Sequence, residues 1–202
     1  MDAVMNRVLE VWRDIGAESF NLPNFLTLLR ILLIPVFIIL FVNPTPDQSL
    51  AAAIVFTVAA VTDMLDGYIA RRTGQVTKLG KLLDPIADKL LVLSALILLM
   101  NVDRVSALVA LLIIAREVAV TGIRAIAAGE GMIIPAETTG KYKMALQVIA
   151  IILLILEGTG LAELGNMHLA GTVTLYLSLV LGYLSGGQYV WSFWKQVVAK
   201  GL

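Results

Sequence analysis

The chain has 202 residues, of which 59% are hydrophobic and only 15% are charged. A soluble domain carries roughly 45–50% apolar and about 25% charged residues, so this composition belongs in a lipid bilayer. Fifteen basic residues balance fifteen acidic ones, leaving no overall basic field to attract nucleic acid, and the absence of cysteine excludes disulfides and thiolate metal sites.

Residues 1–17 do not read as a signal peptide, because acidic residues interrupt them and no apolar core follows a basic start. Val4, Met5, Val8, Leu9, Trp12 and Ile15 recur at helical spacing, with Asp2, Arg7, Glu10, Arg13 and Asp14 mostly opposite. Residues 1–20 are therefore expected to form an amphipathic helix in the membrane interface, the alternative being a frayed polar tail. Six long apolar segments follow, at roughly 25–43, 49–71, 82–101, 105–127, 142–157 and 168–194. About 20 helical residues cross a hydrocarbon core of roughly 30 Å, so residues 21–202 are expected to form one all-α integral membrane domain of six transmembrane helices. The breaks, at Asn43-Pro44-Thr45-Pro46, Asn101–Arg104, Gly129–Gly131 with Pro135, and Gly158-Thr159-Gly160, are turn chemistry.

Lys and Arg set the orientation. Arg7 and Arg13 precede the first span; Arg71, Arg72, Lys78 and Lys81 lie between the second and third. Arg124, Lys141 and Lys143 flank the loop between the fourth and fifth, and Lys195 and Lys200 follow the sixth. The opposite loops, 43–48, 101–104 and 158–167, hold only Arg104. Both termini and the loop after the second span are thus expected on the cytosolic side.

Four aspartates stand out at the end of the second span and the start of the third. Asp63, Asp66, Gly67 and Ala70 fall on one helical face, and Gly80, Asp84 and Asp88 on another, so two helices joined by a short loop can present four carboxylates to one another. The second segment is apolar from about Leu50 to Thr62, roughly 20 Å of helix, which puts Asp63 inside the bilayer thickness. A carboxylate there costs on the order of 2–3 kcal/mol, and such residues mark function more often than a stop-transfer cluster. With no cysteine, a metal here is bound through oxygen, which points to Mg²⁺ or Mn²⁺, and a carboxylate-held pair of divalent ions about 4 Å apart is a recurrent answer to phosphoryl transfer. Gly67, Ala70 and Gly80 let a ligand approach these faces closely, and Arg71 and Thr77 could hold a phosphate or a base at the cytosolic mouth.

Asp63-x-x-Asp66-Gly67-x-x-Ala70-Arg71, eight residues, then Gly80-x-x-x-Asp84-x-x-x-Asp88 resembles the signature of the CDP-alcohol phosphotransferases at every position. Pro23-Asn24-Phe25-Leu26-Thr27-Leu28-Leu29-Arg30 is similar to that family's entry into its first span. Ile114-Ala115-Arg116-Glu117, Thr121-Gly122-Ile123-Arg124 and Gly140-Lys141-Tyr142-Lys143 look like the bacterial members that use glycerol 3-phosphate. The resemblance covers about residues 21–194. It implies that Asp63, Asp66 and Asp84 ligate two Mg²⁺ or Mn²⁺ ions with Asp88 also close, and that Asn24, Thr27, Gly67, Ala70, Arg71, Thr77 and Gly80 serve CDP-diacylglycerol. It also implies that Asp88 is the general base for attack of the acceptor hydroxyl on the β-phosphorus, that CMP leaves, and that the enzyme is a homodimer in the bacterial inner membrane.

The acceptor is written elsewhere. The dianionic phosphate of glycerol 3-phosphate needs cations, and Arg116 lies in the middle of the fourth segment. Neighbours on a helix point about 100° apart, so Arg116 is expected to face the cavity while Glu117 makes another contact, the alternative being a buried ion pair. Arg30, Arg124, Lys141 and Lys143 are further candidates for the acceptor phosphate; the two lysines could equally be membrane-flanking charges. Lys89 is left open, and His168 is given no role. Another acceptor, inositol phosphate above all, is the nearest alternative; an ion or proton transporter is disfavoured because the ionisable groups within spans concentrate toward one side. Gly182-x-x-x-Gly186 would let two helices approach closely, as dimerising helices do.

Overall fold

The computed structural model describes residues 22–73, 78–130, 132, 138–160 and 165–200, the side chains of 22–23, 66–68, 70–73, 78–82, 85, 138–139, 141 and 199–200 excepted. The described residues form six helices: α1 (Leu22–Phe41), α2 (Pro46–Thr73), α3 (Lys78–Asn101), α4 (Ala107–Gly129), α5 (Thr138–Leu156) and α6 (Met167–Lys200). No strand occurs among the described residues. Among the described residues the all-α expectation is met, and each of the six apolar segments falls mainly within one helix. The amphipathic helix expected over residues 1–20 lies outside the described residues.

Within the described residues, three helices are long and apolar enough to cross a membrane, over Asn24–Phe41, Pro46–Leu65 and Met167–Val198, and α5 has a shorter apolar stretch, Tyr142–Leu156. The reason α3 and α4 fall short is chemical. Each exceeds 20 residues, but α3 carries Asp84, Asp88 and Lys89, and α4 carries Arg116, Glu117 and Arg124. Four of those charges, Asp84, Asp88, Arg116 and Arg124, are candidate site residues.

The chain divides into two compact units, Met1–Ala95 and Leu96–Leu202, with the boundary inside α3. In the first, α1 lies along α2. The α1 face that turns inward is one stripe at helical spacing: Asn24, Thr27 and Arg30, then Ile34, Phe37 and Phe41, all buried. Phe37 stacks on Phe41 and meets Phe56 of α2, ring centroids 5.7 and 5.5 Å apart. Around Phe56 the α2 face is alanine at 52, 53, 59 and 60, and these small side chains let α1 come close. The opposite face of α1 exposes Phe25, Leu28, Leu32, Val36 and Ile39, an apolar exterior suited to lipid. Thr45 starts α2 with a capping box: Thr45 N donates to Gln48 Oε1 (2.9 Å) and Gln48 N to Thr45 Oγ1 (3.3 Å), with Pro46 at the first helical position. That cap fixes where α2 begins and hence which way Asp63 points.

In the second unit, α5 packs along α6, and α4 also contacts α6. Gly171 is required for the α5–α6 approach, because a Cβ there would lie 2.8 Å from Leu154 Cγ. The turn after α3 is a Schellman motif: Arg104 N bonds Leu99 O, Asp103 N bonds Met100 O, and Asp103 takes the left-handed conformation at φ 57°. Arg104 Nη1 then donates to the carbonyls of Leu154 and Ile155, both at 3.0 Å, capping the last turn of α5. Its partial burial lowers the guanidinium pKa and Glu157 opposes that shift. The lone basic residue on the expected outer side is thus spent on a helix end.

Candidate active site

Thr27 and Arg30 lie three residues apart, on one face of α1 and within a turn of each other. Thr27 Oγ1 donates to Asp84 Oδ1 of α3 at 2.6 Å. Arg30 Nη1 forms an ion pair with Asp63 Oδ1 of α2 at 2.7 Å, and Arg30 Nε donates to Ala59 O at 3.4 Å, one turn before that aspartate. A single turn of α1 therefore holds one carboxylate from each half of the aspartate motif. Thr27 and Arg30 are themselves buried, and Asn24 continues the same polar stripe by one more turn. A buried guanidinium beside a carboxylate offsets a charge that an apolar setting would otherwise penalise by several kcal/mol.

Helix α2 runs unbroken through Asp66, Gly67, Ala70 and Arg71 to Thr73, and α3 carries Gly80, Asp84 and Asp88 in one continuous helix, the backbone that the motif's spacing requires. Asp88 is half-buried, as is Lys89. The side chains of Asp66, Gly67, Ala70, Arg71, Gly80 and Lys141, and the whole of Thr77, lie outside the described residues. Among the described residues no three carboxylates or imidazoles converge as a metal group. Asp63 and Asp84 nevertheless fit Mg²⁺ or Mn²⁺: they are hard oxygen donors from two helices, restrained against a third by an arginine and a threonine.

A second polar cluster lies in the other unit. Arg116 of α4 donates through Nε to Gly182 O (2.8 Å), through Nη2 to Ser185 Oγ (2.7 Å), both on α6, and through Nη1 to Glu117 Oε1 (2.8 Å). Lys143 of α5 is buried and pairs with the same Glu117 oxygen. The expectation that Arg116 and Glu117 would point apart is corrected. Their Cβ bonds diverge, but two long side chains bend back to meet, and Lys143 draws the carboxylate toward the bundle interior. Gly182 and Gly186 also turn inward, where a Cβ would meet the Arg116 side chain at 3.6 and 3.5 Å. Their close approach serves this unit's own packing around Arg116. Arg124 stacks over Tyr189 at 5.2 Å, a cation–π contact. His168 bonds Glu157 at the far end of the unit, 2.9 Å away.

Sequence reasoning missed Thr27 as a carboxylate donor, Ser185, and Glu117 as a carboxylate shared by two cations. For Thr27 the signal was present: Asn24, Thr27 and Arg30 at i, i+3 and i+6 make a polar stripe in an otherwise apolar helix. For Ser185 nothing distinguishes it from other small residues of α6.

Comparison with known proteins agrees with the motif. The family model described as CDP-alcohol phosphatidyltransferase matches residues 20–184. A Bacillus subtilis protein named CDP-diacylglycerol–glycerol-3-phosphate 3-phosphatidyltransferase is 41% identical over 188 residues, covering 87% of this chain and 96% of the relative. Proteins of the same name from Rickettsia bellii and Haemophilus influenzae are 40% and 36% identical, covering 84% and 91% of this chain and 93% and 95% of their own lengths. With a motif complete in its helical register and relatives matched over nearly their whole length, the chain belongs to the CDP-alcohol phosphatidyltransferase family.

Proposed function

We propose that the protein transfers the phosphatidyl group of CDP-diacylglycerol to glycerol 3-phosphate, releasing CMP and phosphatidylglycerophosphate. The observation that carries this reading is the α1 turn that holds Asp63 and Asp84 together inside the complete motif; the names of the relatives point to the same donor and acceptor. Asp63, Asp66 and Asp84, with Asp88 close by, would hold two Mg²⁺ or Mn²⁺ ions, which supply charge neutralisation at the phosphates. Asp88 takes the proton from the acceptor hydroxyl as that oxygen bonds to the β-phosphorus, and the phosphorus–oxygen bond to CMP breaks with its electron pair leaving on CMP. Asn24, Thr27, Gly67, Ala70, Arg71, Thr77 and Gly80 belong to the donor side. Among them Thr27 acts through Asp84, and Arg30, the counter-charge of Asp63, is better read as positioning than as an acceptor contact. Arg116, Arg124, Lys141 and Lys143 are assigned to the acceptor phosphate.

The same proposal includes six membrane spans, residues 1–20 lying along the membrane interface, and a site open to the cytosolic face of the bacterial inner membrane. Homodimerisation is carried over from the family resemblance alone. The test is purified protein with CDP-diacylglycerol and Mg²⁺ or Mn²⁺, offered glycerol 3-phosphate, inositol phosphate and serine in turn, with CMP release followed. Release with glycerol 3-phosphate is expected; release with another acceptor only would overturn the reading.

A further inference from the structure

The cluster around Glu117 carries a consequence for which acceptors are admitted, and it rests on the proposed role of Arg116 and Lys143 in binding the acceptor phosphate. One oxygen of Glu117 receives both cations, Arg116 Nη1 at 2.8 Å from its own helix and Lys143 Nζ from α5. A guanidinium and an ammonium gathered around one anion is an arrangement that also suits a phosphate. Arg116 is oriented from behind: Nε and Nη2 are bonded to Gly182 O and Ser185 Oγ on α6.

The cavity that the trio lines is too small for a substrate. The cavity bounded by Arg116, Glu117, Lys143, Gln147, Ser178 and Gly182 measures about 10 Å³, room for a single water. A phosphate cannot join the two cations while the carboxylate stays between them. The carboxylate is also the member best placed to leave, its side chain being 23% exposed against 12% for Arg116 and 10% for Lys143.

We propose that Glu117 stands in for the acceptor phosphate between Arg116 and Lys143, and that its displacement is the step that selects a phosphorylated alcohol. A buried Lys143 and a half-buried Arg116 without a counter-charge would be costly within an apolar bundle, so the enzyme carries its own anion until the acceptor arrives. A dianionic phosphate matches the two positive charges better than the single carboxylate does and can displace it. A neutral alcohol brings nothing to the exchange and leaves the Glu117 contacts in place. The device is a negative element in recognition: it weakens binding of every acceptor, and least for the one that carries two charges.

The experiment measures KM for glycerol 3-phosphate and for CDP-diacylglycerol in purified wild-type, E117Q, E117D, R116A and K143A enzymes. Glu117→Gln keeps the shape and removes the competing charge. KM for glycerol 3-phosphate is expected to fall about five- to tenfold, a difference of roughly one close charge contact, while KM for CDP-diacylglycerol stays unchanged. Glu117→Asp withdraws the carboxylate by one methylene and should shift the same KM in the same direction by less, which keeps the proposal testable should E117Q fold poorly. R116A and K143A should each raise KM for glycerol 3-phosphate. If they do and both Glu117 variants leave it unchanged or raise it, Glu117 is a structural counter-ion and the inference is overturned. If R116A and K143A leave that KM unaltered, it is the assignment of the acceptor pocket itself that is refuted.

Discussion

Arg30 is fully buried in a helix whose outer face is lipid-like, and its guanidinium is committed to Asp63 and to the carbonyl of Ala59. Removing one partner of a buried pair leaves the other charge uncompensated, at a cost of about 3–5 kcal/mol. Arg30→Ala is therefore expected to lower the melting temperature of the detergent-purified protein and to abolish CMP release; Arg30→Lys should restore part of the stability but lack the Ala59 bond. Thermal melting beside the activity assay checks both. Thr27 offers a milder perturbation. Thr27→Val keeps the shape and deletes the 2.6 Å bond to Asp84, so Asp84 loses its restraint without a cavity forming. The variant should need several-fold more Mn²⁺ for half-maximal CMP release, with Thr27→Ser close to wild type; an unchanged Mn²⁺ titration would show that Asp84 is held by other means. Asp88 makes the sharper chemical test. Asp88→Asn should leave melting and detergent-phase oligomer size intact while removing turnover, since the amide cannot take the acceptor proton; substantial residual transfer would reject its role as base.

At the scale of helices, the sequence was most legible where periodicity and spacing coincide. The aspartate motif implies two helices because its residues recur at three and four, and α2 and α3 run through all of it. The limits of the six apolar segments lie near the helix ends, because the breaks are made by Pro, Gly and Asn acting locally. What was not legible depends on neighbours. Periodicity places Thr27 on the buried face of α1 but cannot say that Asp84 stands opposite. The 100° rule separates Arg116 from Glu117 at the Cβ atoms, yet the length of both side chains and the pull of Lys143 decide where the charges end. Likewise Gly182 and Gly186 suggested a surface for another helix, whereas Arg116 fills that groove from within the unit. Glycine-dependent packing gives a prediction at this scale. Gly171→Ala would put a methyl group 2.8 Å from Leu154 Cγ, and forcing α5 from α6 is expected to cost about 1–3 kcal/mol. Gly187→Ala, which meets nothing within 4 Å, should be neutral. Melting the two variants side by side separates a packing effect from a general intolerance of α6.

For the molecule as a whole, the claim most exposed to experiment is the number and direction of its membrane crossings. Three described helices are apolar and long enough to cross unaided, whereas α3 and α4 each carry three charged residues within their apolar stretch. Buried or mutually paired charges do not forbid a crossing: Arg116, Glu117 and Lys143 satisfy one another, and the large hydrophobic side chains that α4 exposes are Leu108, Leu111, Val118 and Ile126. If all six helices cross, loops alternate sides, and the loop holding Thr45 lies opposite the loop holding Gln75. The chain has no cysteine, so single introduced thiols report without interference. Thr45→Cys and Asp103→Cys should react with a membrane-impermeant maleimide added to intact spheroplasts; Gln75→Cys and Glu130→Cys should react only in inverted vesicles. A three-span arrangement using only the fully apolar helices would put Asp103 and Glu130 on one side. Labelling of both from the same face would therefore reject six crossings, and labelling of Gln75 from outside would reverse the orientation and put the aspartate motif on the side away from the cytosol.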